Sequence, residues 1–245
     1  MHRVGAKPLQ IWDRLWLFPI ATLVVLLFID FSSLAQSPPS GGPDAQASSS
    51  PAPGQGQVNP PSRPPYQLDR SEEDWSFLRD PSLRTDRWDS VKYIPLGRQD
   101  WYLSLGGEFR PFYEAYRNYN WGLGPQDGDG YFLHRFIGHA DFRLGRRARV
   151  FFELKSGVEL GRNGGPRPSQ DEDKLDLSQL FLDLHPRLRN GVPALTLRIG
   201  RQELNYGEGG LVSIRELNVR REFDGVKLIL RPAGWRVDAF AVKPA

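Results

Sequence analysis

None of the 245 residues is cysteine and only one is methionine. Without a thiol the chain forms neither a disulfide nor a thiolate metal site, a composition at ease in an oxidising compartment. Histidine is scarce too, with four in all, and His134, His139 and His185 show no metal-ligand spacing. Asp171-Glu172-Asp173, with Asp127 and Asp129, offers oxygen ligands but in no spacing of a known calcium loop. No metal or cofactor is therefore expected. The net charge is only +3, and no basic face is interleaved with aromatics, so nucleic acid is not an expected partner. The mean hydropathy of −0.49 is too low for a bundle of membrane helices. It is compatible with a membrane β-barrel, in which only alternate residues meet lipid. No Ser-His-Asp grouping is legible. The glycine-rich stretches Gly122–Gly124 and Gly207–Gly210 are followed by no helical pattern that could build a phosphate cradle. Catalysis is not expected.

The apolar run Leu15–Ile29 stands out. It follows a basic start (His2, Arg3, Lys7, Arg14), is interrupted by Pro19, and precedes small residues at Ser33-Leu34-Ala35. These features predict a secretory signal over residues 1–35, cleaved after Ala35. The alternative is a retained anchor, for which the run is shorter than the roughly 20 residues that a spanning helix needs. Residues 36–65 are rich in Pro, Ser, Gly, Gln and Ala, and read as a disordered linker. Residues 66–100 read as an ordered lead-in at the periplasmic end. In it, Ser71-Glu72-Glu73-Asp74 followed by Trp75, Phe77 and Leu78 suggests a capped helical turn, Asp80-Pro81 ends it, and the charged residues are expected to be solvated.

The stretch Tyr131–Leu160 frames the rest. Ala148, Val150, Phe152, Leu154, Val158 and Leu160 alternate with Arg147, Arg149, Phe151, Glu153, Lys155, Gly157 and Glu159. Successive side chains of a strand point to opposite faces, so one face is apolar and the other charged. The preceding segment puts Phe132, Phe136, Ala140, Phe142 and Leu144 on one face, and Arg135, His139, Asp141 and Arg143 on the other. Gly145-Arg146 reads as a two-residue hairpin turn. These strands exceed the usual five or six residues of a globular strand. The alternation recurs in strands at about 102–117, 174–185, 194–205, 223–231 and 235–243. In the 174–185 segment the apolar phase slips between Leu177 and Leu180, which predicts a bulge near Ser178-Gln179.

The connections alternate between long (118–130, 161–173, 206–222) and shorter (145–146, 186–193, 232–234). Outer-membrane barrels pair long external loops with short periplasmic turns. With a periplasmic N-terminus the first connection must be external, and it is long. The expected fold is therefore all-β, an antiparallel transmembrane β-barrel over residues 101–245. Its seven strands are too few to close, so the chain is expected to be an N-terminal portion of a larger barrel or a truncated gene product.

Several segments resemble the alginate export family of outer-membrane porins. They are Asp89–Leu96 and Tyr102–Arg110, Asp176–Leu184, Arg198–Gln202 and Arg221–Val226. The resemblance implies a barrel with a charged lumen that passes an anionic uronate polymer through the outer membrane, with outer-membrane lipid and periplasmic export components as partners. If the apolar faces meet lipid, the polar faces line the lumen with a modest cationic excess. Arg110, Arg135, Arg149 and Arg198 are then candidates to attract polymer carboxylates, because the guanidinium fork pairs carboxylates bidentately. Glu108, Glu153 and Lys155 share that path. The plainer role for these charges is a set of cross-strand pairs, such as Arg135 with Glu108 or Arg149 with Asp141, that fill the wall. The loop bearing Arg215, Arg220 and Arg221 either folds inward to constrict the pore or stays solvated outside. The alternative functions are a soluble periplasmic all-β carbohydrate-binding protein of sandwich type, and a general outer-membrane porin for small solutes.

Overall fold

The computed structural model describes residues 23–29, 63–167, 169–187, 194–207, 209–214, 217–232 and 235–245. The expected cleavage point at Ala35, nearly all of the linker, and Arg215 lie outside the described residues.

One antiparallel sheet dominates. Its strands are β1 Leu23–Ile29, β2 Ile94–Pro95, β3 Trp101–Tyr116, β4 Asp127–Leu144, β5 Ala148–Leu160, β6 Asp173–Leu184, β7 Ala194–Gln202, β8 Phe223–Arg231 and β9 Trp235–Pro244. The sheet order is β1-β9-β8-β7-β6-β5-β4-β3-β2, a meander from β2 to β9 in which every neighbour in sequence is a neighbour in space. The seven strands expected from alternation are β3 to β9. β1 comes from the apolar run of the expected signal, and pairs along β9 from Leu23 with Ala241 to Ile29 with Trp235.

The boundaries depart from expectation where glycine and turn geometry override alternation. Leu144 pairs with Ala148, so the hairpin turn has three residues, Gly145–Arg147, rather than two. Gly145 takes a φ of 70° there, a conformation open to a residue without Cβ. β4 starts at Asp127 rather than near Tyr131, because Gly128 and Gly130 are carried into the strand. β7 ends at Gln202, earlier than 205. The expected bulge is present: Glu153 pairs with Gln179 and Leu154 with Leu177, so Ser178 is the extra residue.

Burial runs opposite to that of a soluble sheet. Along β5 the buried positions are Arg149, Phe151, Glu153, Lys155, Gly157 and Glu159, and the alternate apolar positions are only partly covered. On β3 and β4, Phe109 is 56% exposed and Phe136 50%, their rings stacked at 4.4 Å between centroids. Among the described residues no second sheet packs on this apolar side.

The polar side is covered by two segments. The lead-in contains 3-10 turns at Arg70–Glu72, Ser76–Arg79 and Pro81–Leu83 and a short helix α1, Asp89–Lys92. Asp69, not Ser71, caps the first turn, accepting from the Ser71 N–H. An apolar cluster of Trp75, Leu78, Tyr93 and Tyr102 fixes the lead-in to β3. Its Glu73, Asp89 and Lys92 are buried, not solvated as expected. The second segment, the loop 203–222 between β7 and β8, packs through Leu204 and Tyr206 against Phe223 and Phe240.

Candidate functional site: the charged inner face

The alternation that exposes one apolar face necessarily gathers the charged residues of β3 to β9 on the other. Near the β4–β5 turn, Asp141 accepts from Arg149 Nε at 2.7 Å and Arg143 Nε at 2.9 Å. Asp183 on β6 takes Arg198 in a fork, with Nε at 2.7 Å and Nη2 at 2.9 Å, and lies 3.5 Å from Arg149 Nη1. The Phe181 ring sits against both cations, 3.7 Å from the Arg198 guanidinium carbon and 5.7 Å from that of Arg149. Such pairing is what makes a buried guanidinium tolerable.

Further along the face, Glu108 accepts from Arg135 Nη2 at 2.6 Å and lies 3.8 Å from Arg220 Nη2. Arg135 Nη1 also donates to the Leu217 carbonyl at 2.7 Å. Glu153 is fully buried and accepts from Ser178 Oγ at 2.9 Å. Lys155 donates to Glu222 at 2.5 Å and to the Arg220 carbonyl at 3.1 Å. On the last strands, Asp238 accepts from Tyr206 Oη at 2.7 Å and Arg236 Nη2 at 3.0 Å, with Lys227 at 3.5 Å.

The structure thus brings Arg135, Arg149, Arg198, Glu108, Glu153 and Lys155 onto one buried face. The two pairs named from alternation, Arg135 with Glu108 and Arg149 with Asp141, are formed. Arg110 faces Arg135 in the β3–β4 register but lies farther out, its guanidinium 4.9 Å from the Phe112 ring. Among the described residues of the loop 203–222, Leu204, Tyr206, Ile214 and Asn218 to Arg220 are buried, whereas Leu211 is exposed. Arg220 is buried beside Glu203 at 3.5 Å, whereas the Arg221 side chain is exposed.

Alternation missed three contributors. Asp183 and Gln179 lie beyond the bulge at Ser178, on the face opposite Leu180 and Leu182, and were not singled out. The third is the lead-in, whose backbone and acids engage this face: Arg149 Nη2 donates to the Ser71 carbonyl at 2.7 Å, Arg143 Nη2 to the Glu73 carbonyl at 2.9 Å, and Gln179 Nε2 to Asp69 at 3.1 Å. No alternation exists in residues 66–74 to signal such a docking.

Residues 101–245 match the family model described as alginate export. The chain belongs to the alginate export family. No match was found among curated proteins or among solved structures. The alginate export match begins at the first residue of β3 and takes in every strand of the meander through β9. It excludes the lead-in that covers the charged face. Its description is of export, a transport role rather than a catalytic one. No helix among the described residues is long and apolar enough to cross a membrane, which leaves crossing by strands open.

Proposed function

We propose that this alginate export family member supplies wall and lumen lining for an outer-membrane channel that passes an anionic, uronate-type polysaccharide. The observation that carries this reading is the inverted burial: Phe109, Phe132 and Phe136 are half-exposed while Arg135, Glu153 and Arg198 are buried. Hydrocarbon covers the aromatic face, and the sheet edges find strand partners in the bilayer, because an unpaired backbone group in lipid costs several kcal/mol. The charged face borders the path of the polymer. Arg110, Arg135, Arg149, Arg198 and Lys155 supply the attraction, with Glu108 and Glu153 as their counter-charges. Arg220 and Arg221, on the inward-folded loop, narrow the path. A charged lining in a low-dielectric wall selects permeant ions by sign. Outer-membrane lipid, the polymer and periplasmic export components are the partners in this scheme. A soluble sandwich is less well supported, since it would cover Val150, Phe152 and Leu154 with a second layer. Reconstitution in planar bilayers under a salt gradient tests the proposal. A reversal potential of anion-preferring sign, with block by uronate oligomers, is expected; cation preference contradicts it.

A further inference from the structure

Six consecutive residues of the lead-in, Leu68–Glu73, collect donors from across the wall. Arg220 Nη1 donates to the Leu68 carbonyl at 3.2 Å, Arg149 Nη2 to the Ser71 carbonyl at 2.7 Å, and Arg143 Nη2 to the Glu73 carbonyl at 2.9 Å. Arg198 Nη1 reaches Ser71 Oγ at 3.4 Å. The Glu72 carboxylate lies 3.5 Å from Arg236 and 3.9 Å from Arg231. These cations come from β4, β5, β7, β8, β9 and the inward loop, far apart in sequence, yet they converge on one short stretch. Cavities remain beside that stretch. One of about 420 Å³ is lined by Asp69, Glu72, Glu203, Tyr206, Lys227 and Arg236, and one of about 250 Å³ by Ser71, Glu73, Arg149 and Arg198 among others.

How the stretch is held is as informative as where it lies. Leu68 is 45% exposed, and between it and Asp74 no apolar side chain is buried. Its contacts with the wall are hydrogen bonds and ion pairs, which another ligand presenting the same oxygen acceptors can replace without leaving the guanidinium groups unpaired. From Trp75 onward the lead-in is anchored through apolar packing on Leu78, Tyr93 and Tyr102. The two parts meet between Asp74 and Trp75, where only polar bonds join them: Trp75 Nε1 donates to Glu73 at 3.0 Å and Tyr102 Oη to Asp74 at 3.1 Å. Burial opposes ionisation of Glu72, but the fields of Arg236, Arg198, Lys227 and Arg231 overcome it and hold its carboxyl down at about 2. Its surroundings are thus strongly cationic.

Resting on the channel reading above, we propose that Leu68–Asp74 is a displaceable strap that occupies the polymer-binding cleft and must be lifted before a polyuronate can pass. A linear uronate chain presents what the strap presents, a row of oxygen acceptors punctuated by carboxylates. Strap and polymer therefore compete for the same guanidinium groups.

The test uses the full chain in detergent and a galacturonate hexamer as probe. Calorimetry compares wild type with Glu72→Gln, which keeps the side-chain shape and weakens the strap, and with Glu172→Gln, an equal charge change on the 161–172 loop. The proposal expects about five-fold tighter hexamer binding for Glu72→Gln, the effect of removing one competing ion pair, and no change for Glu172→Gln. In parallel, tryptic cleavage after Arg70 is followed in the unmodified protein, where that side chain is 14% exposed. Cleavage should accelerate about ten-fold at saturating hexamer as the strap is released. Equal hexamer affinities with unchanged cleavage would make the strap a fixed part of the wall. That result overturns this proposal and leaves the anionic-polymer reading standing. No hexamer binding to any of the three proteins overturns both.

Discussion

Asp183 shows how much one carboxylate carries on this face. It holds Arg198 by two bonds and stands beside Arg149, with all three side chains nearly inaccessible to solvent. Removing one partner of a buried pair leaves an uncompensated charge, which costs about 3–5 kcal/mol. Asp183→Ala should therefore destabilise the protein by about that amount in urea titrations in detergent micelles. A loss below about 1 kcal/mol would mean that water reaches these guanidinium groups. The pairings Arg149–Asp141 and Arg135–Glu108 were readable because strand alternation and a short hairpin place such residues opposite each other. The bulge at Ser178 was readable too, and it puts Asp183 on the charged face; its fork with Arg198 was not, because the connection 186–193 leaves the register of β6 on β7 open. Glycine 200, in the Arg-Ile-Gly-Arg-Gln segment, has a φ of 134°, and a Cβ there would strike the Leu180 carbonyl oxygen. The packing of β6 on β7 thus accounts for the missing side chain.

The strands were legible because long period-two alternation is a strong signal; the lead-in was legible as an ordered segment, but the docking of the two covering segments on the charged face was not, because they lack any period. Their pH responses should differ in sign. Glu72 has its carboxyl depressed to about 2, so its contribution to strap docking is present above the ordinary carboxylate range near 4.5 and lost as pH falls towards 2. Glu203 is pushed the other way. Burial raises it most, Arg220 opposes, and Asp69, Glu153 and Glu222 add to the rise. The protonated acid is the form the folded loop favours, so that contribution is complete below the ordinary range and lost as pH climbs through the elevated value. Hydrogen exchange with mass spectrometry should show protection of residues 68–74 falling between pH 4.5 and 2, and protection of 203–207 falling as pH rises. Parallel behaviour of the two segments would contradict this assignment.

The whole molecule is organised by which side of one sheet is dry. Apolar clusters exist, but they are local: one fixes the lead-in and one the loop 203–222. The wall between them is charged on its covered side and aromatic on its open side. The alternation of apolar and charged residues was visible in the sequence. Alternation alone, however, serves a sandwich as well as a barrel wall, and only the three-dimensional arrangement shows that no second layer covers the apolar side of the described sheet. A sheet of this kind in water would present a large aromatic surface, which soluble monomers rarely expose. In a bilayer the same surface is the stable one.

A nitroxide scan of β5 addresses that point directly, and the cysteine-free chain permits each label to be unique. Cysteine is placed singly at each position from Ala148 to Leu160 in protein reconstituted in lipid, and collision rates with oxygen and with a water-soluble nickel chelate are measured. Oxygen accessibility should rise at Val150, Phe152, Leu154 and Val158 and fall at Arg149, Phe151, Glu153 and Lys155, with period two. High chelate accessibility at Val150, Phe152 and Leu154, or burial of all three from both reagents, would contradict a lipid-facing apolar side and remove the basis for a channel.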